Sequence, residues 1–245
     1  AIMAASDKPI TANAGCYRPI RIIAPEGTIV NARHPAPVAH RMAPSHLMLN
    51  VLFGALSQAV PDRIPAAYYG VSYVCSCQTV ADDGRRQVLV EIEVGGCGGH
   101  PKGDGASAHS FGMHNNASIP VEMIESDTPV TIMQYGLVEG SGGKGRHRGG
   151  LGLSRTWRID SERATFTAQM DRFRFRPFGL AGGEAGGAGS LTLIRDGREE
   201  KLHSKVANMA LVKGDMVRLE TSGGGGFGRP VERAPQDAAR DAALG

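Results

Sequence analysis

Glycine constrains this chain more than any other residue type. There are 34 glycines among 245 residues, against a single tryptophan. They gather in four runs, within residues 95–99, 142–152, 178–190 and 223–228. No G-X-Y period accompanies the excess, so a collagen-like rod is excluded, and such density leaves little room for long helices. Glycine tolerates positive φ, so runs of this kind predict many tight turns. Short strand-like segments lie between them. The fold class expected is therefore α+β and β-rich: short antiparallel strands with glycine-rich loops and one clear helix in the N-terminal region.

Taken along the chain, an Asn-Ala-Gly turn precedes Cys16, and residues 18–24 read as a strand. The turn Pro25-Glu26-Gly27 then leads into a second strand. Ser45 is a natural N-cap for a helix over residues 45–60, with Leu47, Val51, Leu52, Ala55, Leu56 and Ala59 on one face and Pro61 as its stop. From residue 66 to 94 the chain turns to β, with residues 68–80 and 86–94 as strands joined at Asp82-Asp83-Gly84. The second of them, RQVLVEIEV, alternates apolar and polar side chains. Further strands are expected at VEMIES (121–126), PVTIMQYGLV (129–138), LSRTWRI, RATFTAQM and GDMVRLETS, with a hairpin around Gly197. The organisation that follows is a strand–helix segment over 1–65 that continues a domain supplied elsewhere, a β-rich domain over 66–230 and a tail over 231–245, helical or frayed.

Composition narrows the function classes. A net charge of +3 with dispersed Lys and Arg gives no support to nucleic-acid binding. No apolar run is long enough to span a bilayer and no signal peptide is visible, so no membrane role is expected. Cys16, Cys75, Cys77 and Cys97 form no dense disulfide pattern, which reads as cytoplasmic. The chain begins Ala-Ile-Met, as a trimmed, cleaved or partial polypeptide would.

The richest stretch for chemistry is GGCGGHPKGDGASAHSFGMHNNASIPVE, residues 95–122. It brings a permissive backbone together with His100, Lys102, Asp104, His109, His114 and Asn115. Asp104, His109 and His114 are candidates for acid–base work, against the alternative of solvated loop residues. Lys102 suits a phosphate or carboxylate. Cys75-x-Cys77 with Cys97-x-x-His100 has zinc-type ligands, but Cys-x-Cys on a strand equally suits two buried thiols. In GGKGRHRGG, Arg146 and Arg148 are candidate anion contacts beside Lys144 and His147. Asp171 with Arg172 or Arg174 reads as a structural ion pair. GGGGFG follows a strand without a helix behind it, so it is no phosphate loop.

These residues in this order resemble the hydantoinase B / 5-oxoprolinase family, in the C-terminal half of its B-type subunit. NAGCYRPIRIIAPEGTIVNARHPAPV, GALSQAVPDRIPA, GGCGGHPKGDGASAHS, MHNNASIPVE, SGGKGRHRGGLGLSR, DRFRFRPFGLAGG and TSGGGGFGRP carry the resemblance over almost the whole chain. It implies one subunit of an ATP-dependent hydrolase of cyclic amides such as hydantoins or oxoproline. An A-type subunit would bind ATP with Mg and phosphorylate the small-molecule substrate, and the B-type subunit would complete the hydrolysis. A companion chain would supply the N-terminal half of the B-type subunit, and with it most ligands of a divalent metal such as Zn or Mn, so no metal ligands are assigned to this chain. Related assemblies carboxylate ketones, which is the alternative, and a non-catalytic scaffold is the alternative from another class. Where relatives read M-T-N-T-R-N-T-P, this chain has Met113-His114-Asn115-Asn116-Ala117-Ser118-Ile119-Pro120, so His114 is new and Asn115 is kept. With the chemistry of the residues themselves, this makes Lys102, Arg146 and Arg148 the expected substrate contacts, and His109, His114, Asp104 and Asn115 the catalytic candidates.

Overall fold

The computed structural model describes residue 6 and residues 10–11, 13–81 and 83–244. Asp82 of the expected hairpin turn and most of residues 1–12 lie outside them. Among the described residues, nine strands form two wholly antiparallel sheets. The first holds β1 (Tyr73–Val80), β2 (Arg86–Glu93), β5 (Ala164–Gln169) and β8 (Lys205–Leu211) in the order β2-β1-β5-β8. The second holds β3 (Val130–Leu137), β4 (Leu153–Ile159), β6 (Ser190–Arg195), β7 (Arg198–Lys201) and β9 (Met216–Glu220) in the order β3-β4-β9-β6-β7. Among the described residues the α-helices are α1 (Ala14–Tyr17), α2 (Met42–Leu56), α3 (Val121–Asp127) and α4 (Pro235–Leu244). This is the expected β-rich α+β class. No helix among the described residues is long and apolar enough to cross a membrane.

One core joins the sheets. Tyr73, Cys75 and Cys77 of β1 and Phe166 and Ala168 of β5 face Trp157, Leu191, Val217 and Leu219 of the second sheet. Trp157 meets Phe166 edge-on, with ring centroids 5.9 Å apart. Both hairpin turns rest on left-handed glycines, Gly84 (φ 82°) and Gly197 (φ 73°).

Several elements differ from the sequence reading. Residues 18–24 and the segment after Gly27 form no strands; only a turn closed by a Thr28–Asn31 bridge remains. No neighbouring strand pairs with them, and Ile22, Ile23 and Ile29 stay exposed. Regular strand pairing begins at Tyr73 rather than at residue 68. VEMIES is helical: Pro120 opens the turn and the Thr128 hydroxyl closes it on the Ile124 carbonyl. Six residues are too few for periodicity to separate a strand from two helical turns. Helix α2 starts at Met42, three residues early, because Pro44 is tolerated in a first turn. Ser45 is therefore inside the helix, donating to the Arg41 carbonyl, rather than capping it. Strand β8 is not expected as a separate strand, its first residues falling in the hairpin around Gly197.

One apolar face is rotated, with Leu47 and Leu56 still against the core, and another is reversed. Helix α2 buries Ala43, His46, Asn50 and Phe53, while Val51 and Leu52 are exposed. Strand β2 turns Glu91 and Glu93 inward and leaves Val88, Val90 and Ile92 half-exposed. Polar groups can enter because partners await them. The Asn50 amide both donates to the Tyr68 carbonyl and accepts from the Tyr68 N–H, and Arg155 Nη1 lies 3.1 and 3.2 Å from Glu91 and Glu93. Burial, then the adjacent Glu93, pushes the Glu91 carboxyl up to about 7.

The four glycine runs make few tight turns; one, over residues 180–183, has Ala181 (φ 52°) and Gly182 (φ 91°) left-handed and the Gly183 N–H donating to the Leu180 carbonyl at 2.9 Å. They pass one another as extended backbone in a hydrogen-bonded mesh at one end of the sandwich. Gly150 N–H donates to the Cys97 carbonyl, Gly224 to Gly150, Gly99 to Gly225, Gly225 to Ala67 and Gly226 to Glu184, all at 2.8–2.9 Å. A Cβ on Gly224 would lie 1.9 Å from the Cys97 oxygen, and one on Gly150 would lie 1.9 Å from the Ala106 oxygen. Glycine is required here for close approach rather than for turning.

Candidate functional site

The mesh presents residues 95–111 along one wall of an open cleft of about 830 Å³. Cys97, His100, Lys102, Asp104, His109 and Phe111 line it, together with Asp62 and Arg63 from the segment after α2. Lys102 rides a tight turn: His100 and Gly103 exchange backbone hydrogen bonds, and the Lys102 N–H donates to His100 Nδ1 at 3.2 Å. No hydrogen bond or ion pair engages the Lys102 ammonium among the described residues, and His109 is exposed. Burial pushes the Cys97 thiol up to about 12, so it rests protonated and unreactive.

Asp104 is spoken for. Its carboxylate accepts both arms of the Arg233 fork at 2.9 Å each and the Arg148 N–H at 2.8 Å. Burial alone would raise its pKa, but the Arg233 fork and the Arg148 amide outweigh that and hold it below the usual carboxylate range. Arg148 in turn sends Nε to Asp241 at 3.0 Å, so its side chain faces the C-terminal helix. Arg146 is exposed, and its carbonyl accepts from Arg233. Neither arginine lines the cleft.

His114 and Asn115 stand apart from that wall, in a second cleft of about 330 Å³ that also takes in His40, Ser72 and Gln169. His114 is held at both ring nitrogens, by the Tyr69 hydroxyl at Nδ1 and the Ser72 hydroxyl at Nε2, each at 2.7 Å. The His46 ring packs 4.0 Å away. Burial, then the His46 charge, lowers the His114 pKa to about 4, so near neutrality the imidazole is uncharged. The Tyr69 hydroxyl also accepts from the Phe111 N–H at 3.4 Å and so links the two clefts.

The sequence candidates thus fall into three places: Lys102, Asp104 and His109 on the large cleft, His114 and Asn115 on the small one, and Arg146 and Arg148 behind the loop. Sequence reading missed Tyr69, Ser72, Arg233 and Asp241, whose partners lie 42 or more residues away, except the pair Arg233–Asp241 itself. The Asp171 expectation is corrected. Asp171 pairs with Lys205 at 3.2 Å, while Arg172, at φ 66°, buries its guanidinium on the Tyr69 carbonyl. Cys75 and Cys77 are buried core thiols. Among the described residues no three His, Cys, Asp or Glu side chains converge as metal ligands would. The described residues therefore do not by themselves fit a metal centre.

Comparison with known proteins places this geometry. The family model described as Hydantoinase B/oxoprolinase matches residues 1–230. An uncharacterized protein, MJ0963, of Methanocaldococcus jannaschii is 38% identical over 95% of this chain and 40% of its own. The B-type subunit of a putative D-/L-hydantoinase from a Pseudomonas species (strain NS671) is 33% identical over 94% of this chain and 38% of its own. The crystal structure of ATP-dependent caprolactamase from Pseudomonas jessenii superposes with a TM-score of 0.84 at 26% identity, over 99% of this chain and 44% of that one. The chain spans about two-fifths of the length of these relatives. By the extent of that match, through both the sandwich and the glycine mesh, the chain belongs to the Hydantoinase B/oxoprolinase family.

Proposed function

We propose that this chain works as part of an ATP-dependent cyclic-amide hydrolase, as the C-terminal portion of a B-type subunit acting with an ATP-binding A-type subunit. The observation that carries the reading is the family match over residues 1–230, which runs through the whole cleft loop. The names of the relatives support the same class of chemistry, hydantoinase in one and ATP-dependent caprolactamase in the other. A companion polypeptide is supported by the apolar surface left open: Ile22 is 84% exposed, Ile29 83% and Val51 68%. On this reading residues 1–65 complete a domain with that companion, 66–230 form the body and 231–245 the tail. ATP and Mg belong to the A-type subunit, any catalytic metal is held by the companion, and the assembly is cytoplasmic.

Within the large cleft, the Lys102 ammonium neutralises a phosphate or carboxylate on the substrate. His109, exposed at the wall, exchanges protons with solvent and carries them to or from the opening amide. Asp104, its lone pairs taken by arginine, holds the Lys102 turn rather than acting as a base. His114 is an uncharged hydrogen-bonding group that sets the second cleft, where Asn115 orients a carbonyl. Arg146 and Arg148, which do not line the cleft, back the loop rather than contact the substrate.

The test is the assembly purified around the full chain and offered hydantoin, 5-oxoproline or a lactam. Ring opening should require ATP and should fall at least about tenfold in Lys102→Ala and in His109→Ala, a loss of about 1.4 kcal/mol or more in transition-state binding. ATP-independent activity of the chain alone would end the proposal. ATP consumption driven by a ketone with bicarbonate would replace it by carboxylation, and unchanged turnover in both variants would leave a scaffold.

A further inference from the structure

The family match stops at residue 230, yet the segment beyond it reaches back to the cleft. Arg233 has only 8% of its side chain exposed. Besides its fork on Asp104, it donates to the Arg146 carbonyl at 3.1 Å and to both Asp241 oxygens, at 2.5 and 2.9 Å. Asp241 lies on α4 and also accepts from Arg148 at 3.0 Å. Arg240, on the same helix, stands 3.6 Å from Asp104. The carboxylate at the end of the Lys102 turn is therefore gripped mainly by residues from the tail. Asp104 immediately follows Gly103, which closes that turn on His100. Moving Asp104 moves the base on which the Lys102 ammonium stands.

We infer that Arg233 is a positioning residue for the cleft, and that the segment after residue 230 is a strap that sets where Lys102 points. A bidentate arginine on a carboxylate fixes orientation as well as distance, and the Asp241 carboxylate orients the arginine in turn. The functional use of this strap rests on the cleft being the ligand site, but the placement of Lys102 is measurable without turnover. Acid should loosen the strap. The Asp104 carboxyl is held below its ordinary range, so the clamp is complete above the unfolded-state pKa and is lost as pH falls through the folded one.

The experiment is limited acylation of the full-length chain with an N-hydroxysuccinimide acetate, followed by peptide mass spectrometry. Lys201 and Lys213, on the far sheet edge and a distant loop, serve as internal references. In Arg233→Ala the rate at Lys102 relative to both references should shift at least threefold, and amide exchange should rise in residues 100–105 and 235–244 alone. Asp241→Asn should give a smaller shift of the same sign, and Arg233→Lys should fall between wild type and Ala. An unchanged Lys102 ratio, with residues 235–244 exchanging freely, would show that the strap does not place the lysine. A uniform rise in exchange across β1, β4 and β9 in both Arg233→Ala and Asp241→Asn would reduce Arg233 to general stability, and that too overturns the inference. If Lys102 shifts but Lys102→Ala leaves turnover of the assembly intact, the strap stands and the catalytic reading of the cleft falls.

Discussion

In the sandwich, the two sheets are held apart by their side chains, about 10 Å face to face, with the Trp157 and Phe166 rings meeting between them. In the glycine mesh, the backbones themselves touch: the Cys97 carbonyl occupies the place where Gly224 would carry a Cβ. The sandwich excludes water by burying apolar side chains, each contributing about 1.5–3 kcal/mol. The mesh has few side chains to bury, Cys97, Leu151 and Phe227 among them, so much of its cohesion comes from backbone hydrogen bonds of about 0.5–1.5 kcal/mol net each. Each glycine also gives up about 0.5–1 kcal/mol of extra conformational entropy relative to alanine. The first region should degrade by degrees when altered; the second should fail at once. The open cleft lies against the second, where the supporting wall has almost no freedom to relax.

The largest effect should come from adding one methyl to the mesh. Gly224→Ala places a carbon 1.9 Å from the Cys97 oxygen and 2.8 Å from the Gly98 nitrogen, both backbone atoms. No side chain can swing aside, so the strands of the mesh must part, at a cost above about 4–5 kcal/mol. Soluble yield and circular dichroism should report an unfolded or aggregated chain. Cooperative unfolding near the wild-type midpoint would mean the mesh can breathe, and the contrast with the sandwich would lose its basis.

Next in size is a cavity in the sandwich. Phe166 is fully buried against Trp157, and Phe166→Ala should cost about 3–5 kcal/mol. The fold should persist, with a lower midpoint in denaturant and little change in the slope. Collapse as complete as that of Gly224→Ala would show the two regions to be equally brittle.

The seam between them supplies a pH test. Tyr69 belongs to the sandwich core, while its N–H donates to Gly96 of the mesh and its hydroxyl holds His114. Burial and His46 depress the folded-state pKa of His114 to about 4, below the ordinary value near 6.5. Between these values the unfolded chain binds the extra proton, so stability should rise as pH climbs from about 4 to 6.5 and flatten above. The gain is bounded by about 3 kcal/mol and reduced by solvent screening. His114→Gln should flatten the slope over that window, as read from thermal midpoints at fixed ionic strength. An unchanged slope would remove His114 from the seam.

What the sequence made legible was local. Strands β1 to β7 other than the start of β1, strand β9, the hairpins at Gly84 and Gly197, and the family motifs could be read because each signal sits within a few residues. Which way a face turns could not. RQVLVEIEV alternates cleanly, but only Arg155, 62 residues beyond Glu93, decides that the glutamates go in. The glycine runs were visible as composition, yet the same residue serves turns and close approach, and only the neighbouring backbone distinguishes them. Lys102 and His109 were findable as polar residues on a permissive loop. Arg233 was not, because nothing near it in sequence marks its reach to Asp104.

The smallest effect sharpens the comparison most. Gly136 lies in β3 opposite Ser154, outside the mesh, and an added Cβ would meet nothing within 4 Å. Its φ is not in the left-handed region. Alanine there should fit without strain and restrict the unfolded chain, giving a gain of about 0.4–1 kcal/mol. The same chemical change, one hydrogen to one methyl, would then span from a slight gain at Gly136 to loss of the fold at Gly224. Backbone preference alone cannot produce that range, since neither position needs positive φ. A loss above about 1 kcal/mol in Gly136→Ala, read from denaturant midpoints, would mean that strand glycines are costly to replace wherever they stand. The carbonyl packed against Gly224 would then no longer explain why the mesh is made of glycine.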